Sequence, residues 1–477
     1  MTQKRRLSEE PRSIKQQQQQ QQQEIKKKQK QSIPIQREDL QSLLKTINRK
    51  KLDFDSEKIC SASLSKLDIY GCLVCGKYFR GCKERSPAFL HSISDGHRLF
   101  VSFESTRVVI LPDEIDIDVN VIHLLDDVNK KLINDIKYSV YPVYSPDTIR
   151  KSPYRCFEST QGQLYYNGFV GLNKSTSNNI AYINVIIQLL AHVDPIRDFF
   201  LLADKKNHLN DNGLIKNITL IMKKIWSPHL FKLNVGPDEL ISYIMVNHSN
   251  VIKANINCDP QMFLNWLINA LCQSDKRLRK ILIKTCQGKL KAFAKGNKAN
   301  IVPFWNLTLT LPEISMFKES KNIDDIEQIK LEDLIMAKFS LDSINNDKLQ
   351  LIKDNLPQYL FLYIRRFNKS KKLSDSEFYV RNRNQTIVNF DEILTLPFSN
   401  DDKISKIRYK LISNVVHDPE KNLYDIEKDY TSNWKIQLPN EQTKDWVEIN
   451  NTKTTIKNFN LLFLDETYIQ VWEKIKD

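Results

Sequence analysis

Two cysteines separated by two residues, Cys72 and Cys75, followed by His91 and His97, constrain this chain more than any other feature. Thiolates at that spacing grip one side of a tetrahedral ion, and two imidazoles complete the shell. The intervals of 15 and then 5 intervening residues, with Gly71, Gly76 and Gly81 supplying turns, fit such a site. Four protein ligands leave no open position for substrate or activated water, so the pattern predicts one structural Zn2+. The eight cysteines of the 477-residue chain include only this one tight pair. That usage fits a metal site in a reducing compartment better than a disulfide framework.

Around this site the chain reads as several modules. Residues 1–30 carry nine Lys or Arg against three Glu, which is +6 of the net +14, and Gln16 to Gln23 is an unbroken glutamine run. Such a segment lacks the apolar residues that offset ordering entropy, so residues 1–35 are expected to be a disordered basic tail. Nuclear import, weak contact with RNA phosphates and a merely solvated arm all fit it. No run of about 18 apolar residues occurs, and no apolar secretory segment opens the chain, so an intracellular protein without a membrane span is expected. The domain plan is a zinc-finger domain over 38–135, a proline-containing linker over 136–164, and a larger domain over 165–477.

Periodicity predicts a helix over Asp39 to Ile47, two strands around a turn over Arg98 to Leu111, and an acidic turn over Asp113 to Asp118. Residues 128–150 are read as a helix followed by the linker. In the larger domain helices are expected over Ala181 to Ala191, Pro195 to Leu202, Asp238 to Val246 and Pro260 to Cys272. Strands are expected over Ile301 to Leu311, Tyr359 to Phe367, Thr386 to Phe390, Tyr409 to Val416 and Tyr468 to Trp472. Helices first and strands later give an α+β class instead of a parallel doubly wound sheet.

Three stretches carry a family resemblance. Leu52-Asp53-Phe54-Asp55 to Cys60, with Tyr70-Gly71-Cys72-Leu73-Val74-Cys75-Gly76-Lys77-Tyr78-Phe79, resembles the UBP-type zinc finger of the ubiquitin-specific proteases. Gly171-Leu172-Asn173, Asn179-Ile180-Ala181-Tyr182-Ile183-Asn184 and Gln188-Leu189-Leu190 resemble the cysteine box of the same family (peptidase family C19). Asp259 to Leu267, Pro357 to Phe367, Val388-Asn389-Phe390 and Tyr468 to Trp472 resemble its later helix and strands. The resemblance implies a papain-like thumb, palm and fingers domain after the finger. It assigns Cys72, Cys75, His91 and His97 to one zinc. It also implies that Cys60 is the remnant of a second zinc site, with Arg80 and Pro87 where further ligands would stand and Cys82 an ordinary thiol. Residues 280–400 hold no paired cysteine knuckles, so no zinc is expected in the fingers.

The resemblance also locates what is missing. The family's nucleophilic cysteine opens a helix, where the positive helix end favours thiolate. That position is Ala181 here. The family's catalytic histidine maps to Asn433 in Ser432-Asn433-Trp434, and the orienting position maps to Asn450. His417 matches an upstream histidine that is not the base. The segment from Asn173 to Asn179 is longer than the family's usual loop. Cys156, Cys258, Cys272 and Cys286 are read as inert thiols. Asn414-Val415-Val416-His417-Asp418 and Ile47-Asn48-Arg49 are most similar to the family's spliceosomal, tri-snRNP-associated branch, which lacks the cysteine. The implied protein is a nuclear, non-enzymatic factor that assembles or holds the U4/U6.U5 tri-snRNP, with tri-snRNP proteins as partners. A ubiquitin-binding adaptor is the alternative. An active deubiquitinase would require a cysteine and base that these motifs do not place. Whether the chain touches ubiquitin or RNA directly is open at this level.

Overall fold

The computed structural model describes residues 36–476 except 152–153, 160–161, 174–179, 204–212, 253–258, 294–298, 313–326, 341–348, 368–383, 401–402 and 422–429. The basic tail and the 174–179 part of the long loop lie outside the described residues. The chain divides into two compact units: 1–52 with 58–140, and 53–57 with 141–477.

The first unit opens with α1 (Arg37–Lys45), whose Leu40 and Leu44, one turn apart, are buried. Five short antiparallel strands follow: β1 (Ile69–Cys72), β2 (Tyr78–Arg80), β3 (Leu99–Ser102), β4 (Val108–Ile110) and β5 (Ile115–Asp116). They pair in the order β2-β1-β3-β4-β5. Between β2 and β3 lies α2 (Pro87–Ser94), with Pro87 at its first position and the Ser86 hydroxyl accepting the Phe89 N–H at 3.4 Å. That is the chemistry expected of a helix start. The unit closes with α3 (Asp127–Val140). The acidic stretch expected as a turn is in part β5, which pairs with Val109 and Ile110. Ile115 and Ile117 are buried there, while Asp116 turns inward to accept the Asp118 N–H at 3.0 Å. Burial of the two isoleucines outweighed the local charge.

In the second unit the central element is α4 (Ala181–Ala191), all eleven residues of which are buried. A helix apolar on every side belongs inside a core. Against it pack α5 (Asp194–Leu201), α6 (Gly213–Ile225) and α7 (Pro260–Ser274), and α8 (Lys276–Cys286) packs on α5 and α7. The region expected as a linker is packed as well. Tyr141, Tyr144, Ile149, Tyr154 and Phe157 all lie against this core.

The strand-rich half supplies the support. A short parallel pair, β6 (Gly171–Leu172) and β7 (Asn234–Val235), precedes a hairpin of β8 (Gly288–Phe293) and β9 (Ala299–Phe304). The large sheet contains β10 (Leu307–Thr310), β11 (Tyr359–Arg365), β12 (Ile393–Asn400), β13 (Lys403–Lys421), β14 (Tyr430–Pro439), β15 (Trp446–Asn450), β16 (Lys453–Lys457) and β17 (Glu466–Lys474). Its order is β10-β11-β17-β13-β14-β15-β16, with β12 on β13. Strand alternation divides the core. Tyr359, Phe361 and Tyr363 face the helices, whereas Leu360, Leu362 and Ile364 enter a second core with Trp446 and Trp472. Both faces are covered, which explains the uninterrupted apolar run of β11. The architecture is α+β.

Candidate functional site

In the first unit, β1 ends at Cys72 and the chain reverses through Cys75. The turn is closed by Gly76 N–H donating to Cys72 O at 3.0 Å and Cys72 N–H donating to Lys77 O at 2.9 Å. Gly76 has φ of +77°, and a Cβ there would lie 2.2 Å from Lys51 O, so only glycine fits. His91 comes from α2 and His97 from the segment entering β3. One ligand atom from each of Cys72, Cys75, His91 and His97 lies within 4.8 Å of all the others. Cys75 Sγ is 3.4 Å from His91 Nε2, and His97 Nδ1 is 3.0 Å from the same nitrogen. Zinc bonds of about 2.0–2.3 Å in a tetrahedron place donors roughly 3.3–3.8 Å apart, close to this packing. The four residues therefore fit a metal ion.

The surroundings prepare these ligands. His91 Nδ1 meets Asp95 Oδ2 at 2.5 Å, which directs Nε2 toward the shared centre. Phe79 stacks on the His91 ring at 4.1 Å, and Cys72 is buried. The Cys72 thiol, by hydrogen bonding Cys75, pulls the Cys75 thiol down to about 4; Lys77 N–H and the two imidazoles add to this against the cost of burial. Cys75 is thus poised as a thiolate, the form that binds metal.

Cys60 lies apart from this group. Burial acts to raise its thiol, but hydrogen bonds from Ser63 and from backbone N–H groups, Arg80 included, bring it below its ordinary range. Among the described residues no second group of three metal-binding side chains occurs. Cys82 is half-buried and hydrogen-bonds the Tyr70 side chain.

The second unit contains the stretches that resemble the family's cysteine box and its later strands. Ala181 is the first residue of α4 and is buried, so a methyl group occupies the helix head. The helix packs against β14, which carries Asn433. Asn433 Nδ2 donates to Asn450 Oδ1 at 3.3 Å, and Asn451 Nδ2 donates to the same oxygen at 3.1 Å. Asn184, one turn into α4, donates to Asn451 Oδ1 at 3.4 Å and to Asn173 O at 3.2 Å. Four carboxamides thus join helix and sheet. Asn451 sits in the β15–β16 turn with φ of +51°. Its carbonyl comes so close to β6 that a Cβ on Gly171 would lie 2.5 Å from it, and Leu172 N–H donates to it at 2.9 Å.

His417 is buried on β13, with Nδ1 3.0 Å from Glu466 Oε2 and its ring between Phe367 and Trp434. The other cysteines are scattered. Cys156 is exposed on a short strand, Cys272 is half-buried with its thiol raised by burial, and Cys286 is pushed up to about 12 by burial. Cys258 lies outside the described residues. Asn433 and Asn450, singled out in the sequence, are hydrogen-bonded to each other, and Asn184 and Asn451 join them as partners that the sequence did not announce. Only the turn after β15 brings Asn451 to the helix, so no local pattern signalled it.

Comparison with known proteins agrees with this architecture. Residues 170–471 match the family model described as ubiquitin carboxyl-terminal hydrolase. Residues 60–120 match that of the Zn-finger in ubiquitin-hydrolases and other protein. The chain is 37% identical over 447 residues to the pre-mRNA-splicing factor SAD1 of Saccharomyces cerevisiae, covering 90% of this chain and 93% of that protein. It is 31% identical to the probable mRNA-splicing protein ubp10 of Schizosaccharomyces pombe, covering 90% and 88%. The crystal structure of an essential yeast splicing factor superposes with a TM-score of 0.76 at 37% identity, covering 91% of this chain and all of that one. The expected order of a zinc finger followed by a protease-like α+β domain is borne out.

Proposed function

The chain belongs to the ubiquitin carboxyl-terminal hydrolase family, and from that membership we propose that it is a non-catalytic nuclear splicing factor, a pseudoenzyme that helps assemble or hold the U4/U6.U5 tri-snRNP. One observation carries the non-catalytic reading. The helix head that should present a thiolate carries the Ala181 methyl, and the base position carries Asn433, a carboxamide bonded to Asn450. Thiol hydrolysis needs a sulfur nucleophile and a group that accepts its proton. Neither position offers one. The splicing reading is supported by two relatives that are named as splicing proteins and align over nearly the whole chain. Zinc held by Cys72, Cys75, His91 and His97 would supply structure and no chemistry, since all four positions are filled by protein. The zinc-finger unit and the large sheet of the second unit remain as docking surfaces for spliceosomal proteins.

Ala181→Cys alone is expected to leave hydrolysis of a ubiquitin C-terminal fluorogenic amide at the buffer rate. The Asn433 amide has no proton affinity near neutral pH. Measurable turnover by that single variant would show that another base faces the helix head. The splicing reading is tested by purifying the tagged full chain from nuclear extract and sequencing the small RNAs that accompany it. Joint enrichment of U4, U5 and U6 is the expected result; recovery at the level of an untagged control would sink the reading.

A further inference from the structure

Residues 276–312 contain nine Lys or Arg and no Asp or Glu, the longest one-signed stretch outside the tail, and neither the zinc centre nor the degenerate cleft uses it. It begins with α8, started by Asp275, whose carboxylate accepts the N–H groups of Arg277 at 2.7 Å and Leu278 at 3.1 Å. Leu278, Leu282 and Cys286, at successive four-residue steps, are buried. The opposite face is exposed and presents Lys276, Lys280 and Lys284 at the same interval, flanked by Arg279 and the exposed Ile283. A rise of about 1.5 Å per residue puts those lysines roughly 6 Å apart along one line, a spacing suited to successive phosphates of an extended strand. Past Gln287, on β8, Lys289 is exposed and Lys291, on the same face by strand alternation, is half-buried. Among the described residues, Arg277 is the one cation of α8 in an ion pair, with Asp275 at 3.1 Å.

The flank of the same helix borders a cleft of about 350 Å³ whose walls are Pro195, Phe199, Leu202 and Ile281, with Asp198, Asp275 and Arg277 at its polar side. The Arg277 guanidinium lies 5.8 Å from the centre of the Phe199 ring. A row of cations beside an apolar cleft with an aromatic wall is how proteins hold single-stranded nucleic acid, the backbone on the charges and a base against the ring.

We propose that the exposed face of α8 and the start of β8 bind single-stranded RNA, with Lys276, Lys280, Lys284 and Lys289 on its phosphates and an unstacked base against Phe199. The site rests on the splicing reading only in the choice of RNA over DNA. An acidic protein segment would satisfy the charges but leave the aromatic cleft without a role.

The test is fluorescence anisotropy of a fluorescein-labelled 12-nucleotide oligouridylate with the full chain across a salt series. Lys276→Glu/Lys280→Glu/Lys284→Glu is expected to weaken binding at least tenfold and to flatten the log Kd against log salt slope by about 2, at roughly 0.7 per phosphate contact. Phe199→Leu is expected to weaken the single strand about fivefold or more and to leave a duplex of equal length unchanged. Circular dichroism and thermal midpoints of both variants should match the parent. The proposal is overturned if the triple reversal stays within twofold of the parent. It is overturned equally if Lys26→Ala/Lys27→Ala/Lys28→Ala in the tail alone removes binding, or if a polyglutamate peptide binds this face in preference to RNA. Failure here leaves the co-purification of small nuclear RNAs through protein contacts as an independent result.

Discussion

Cys75→Ser is expected to abolish zinc binding and unfold residues 58–140 while leaving the second unit folded. The four side chains come from a turn after β1, from α2 and from the lead into β3, so one ion held there would tie together three separate stretches. Structural zinc contributes about 10–16 kcal/mol to small metal-organised domains near pH 7. That is at least as large as the net stability of about 5–15 kcal/mol typical of a whole domain. The strands here are two to four residues long and cannot supply an equivalent core alone. Atomic absorption should give one zinc per parent chain and none for Cys75→Ser. Limited trypsin digestion should then open the first unit near Lys83, Arg85 and Arg98 while the helices α4 to α8 and the strands β10 and β11 of the second unit are cut no faster than in the parent. Cys60→Ser and Cys82→Ser should keep their zinc. Two ions per chain, or loss of zinc from Cys60→Ser, would refute the single four-ligand site.

Asp55→Ala is expected to destabilise the second unit by about 3–5 kcal/mol, the usual cost of leaving one partner of a buried ion pair alone. Lys224 on α6 is buried; its Nζ lies 2.5 Å from Asp55 Oδ1 and 3.0 Å from Phe54 O. The 53–57 segment that supplies these partners also packs Phe54 edge-on against Phe231 at 5.3 Å. Lys232 meets Asp53 at 2.8 Å and Asp55 at 3.5 Å; burial acts to lower its pKa, but the two carboxylates raise it on balance. A raised lysine stabilises the fold at all pH values below its unfolded range near 10.4, and that contribution is lost as pH climbs through the folded value. Urea unfolding followed by tryptophan fluorescence should show the loss in Asp55→Ala. Asp55→Ala/Lys224→Met should recover most of it, because no buried charge is then left unpaired. A single variant within 1 kcal/mol of the parent would contradict the role assigned to the pair.

How much of this was legible in the sequence depended on whether the signal was local. The span of α4 follows from its apolar residues, and the gathering of Cys72, Cys75, His91 and His97 from their spacing within one short stretch. The helices expected at Asp238 to Val246 and Pro260 to Cys272 also occur, as Asp238–Asn247 and Pro260–Ser274. The helix α8 was not anticipated because its charges mask a buried stripe, although the Asp275 cap and the Leu278, Leu282, Cys286 interval are visible in the chain. The single strand expected over Ile301 to Leu311 is two, broken at Trp305 and Asn306, where Asn306 Nδ2 donates to Asn265 Oδ1 at 2.8 Å. That bond pairs residues 41 positions apart, so no window of sequence could announce it. The Asp55–Lys224 pair and the carboxamide chain from Asn184 to Asn433 are of the same kind. Each requires the fold before its partners exist.

The most direct measurement is the release of fluorophore from a ubiquitin C-terminal amide by the purified, unaltered full chain, with and without iodoacetamide. With Ala181 at the helix head and Asn433 at the position assigned to the base, release should equal the enzyme-free blank under both conditions. Turnover that the alkylating reagent abolishes would mean that a thiol elsewhere in the chain does the chemistry, and the pseudoenzyme reading would be wrong.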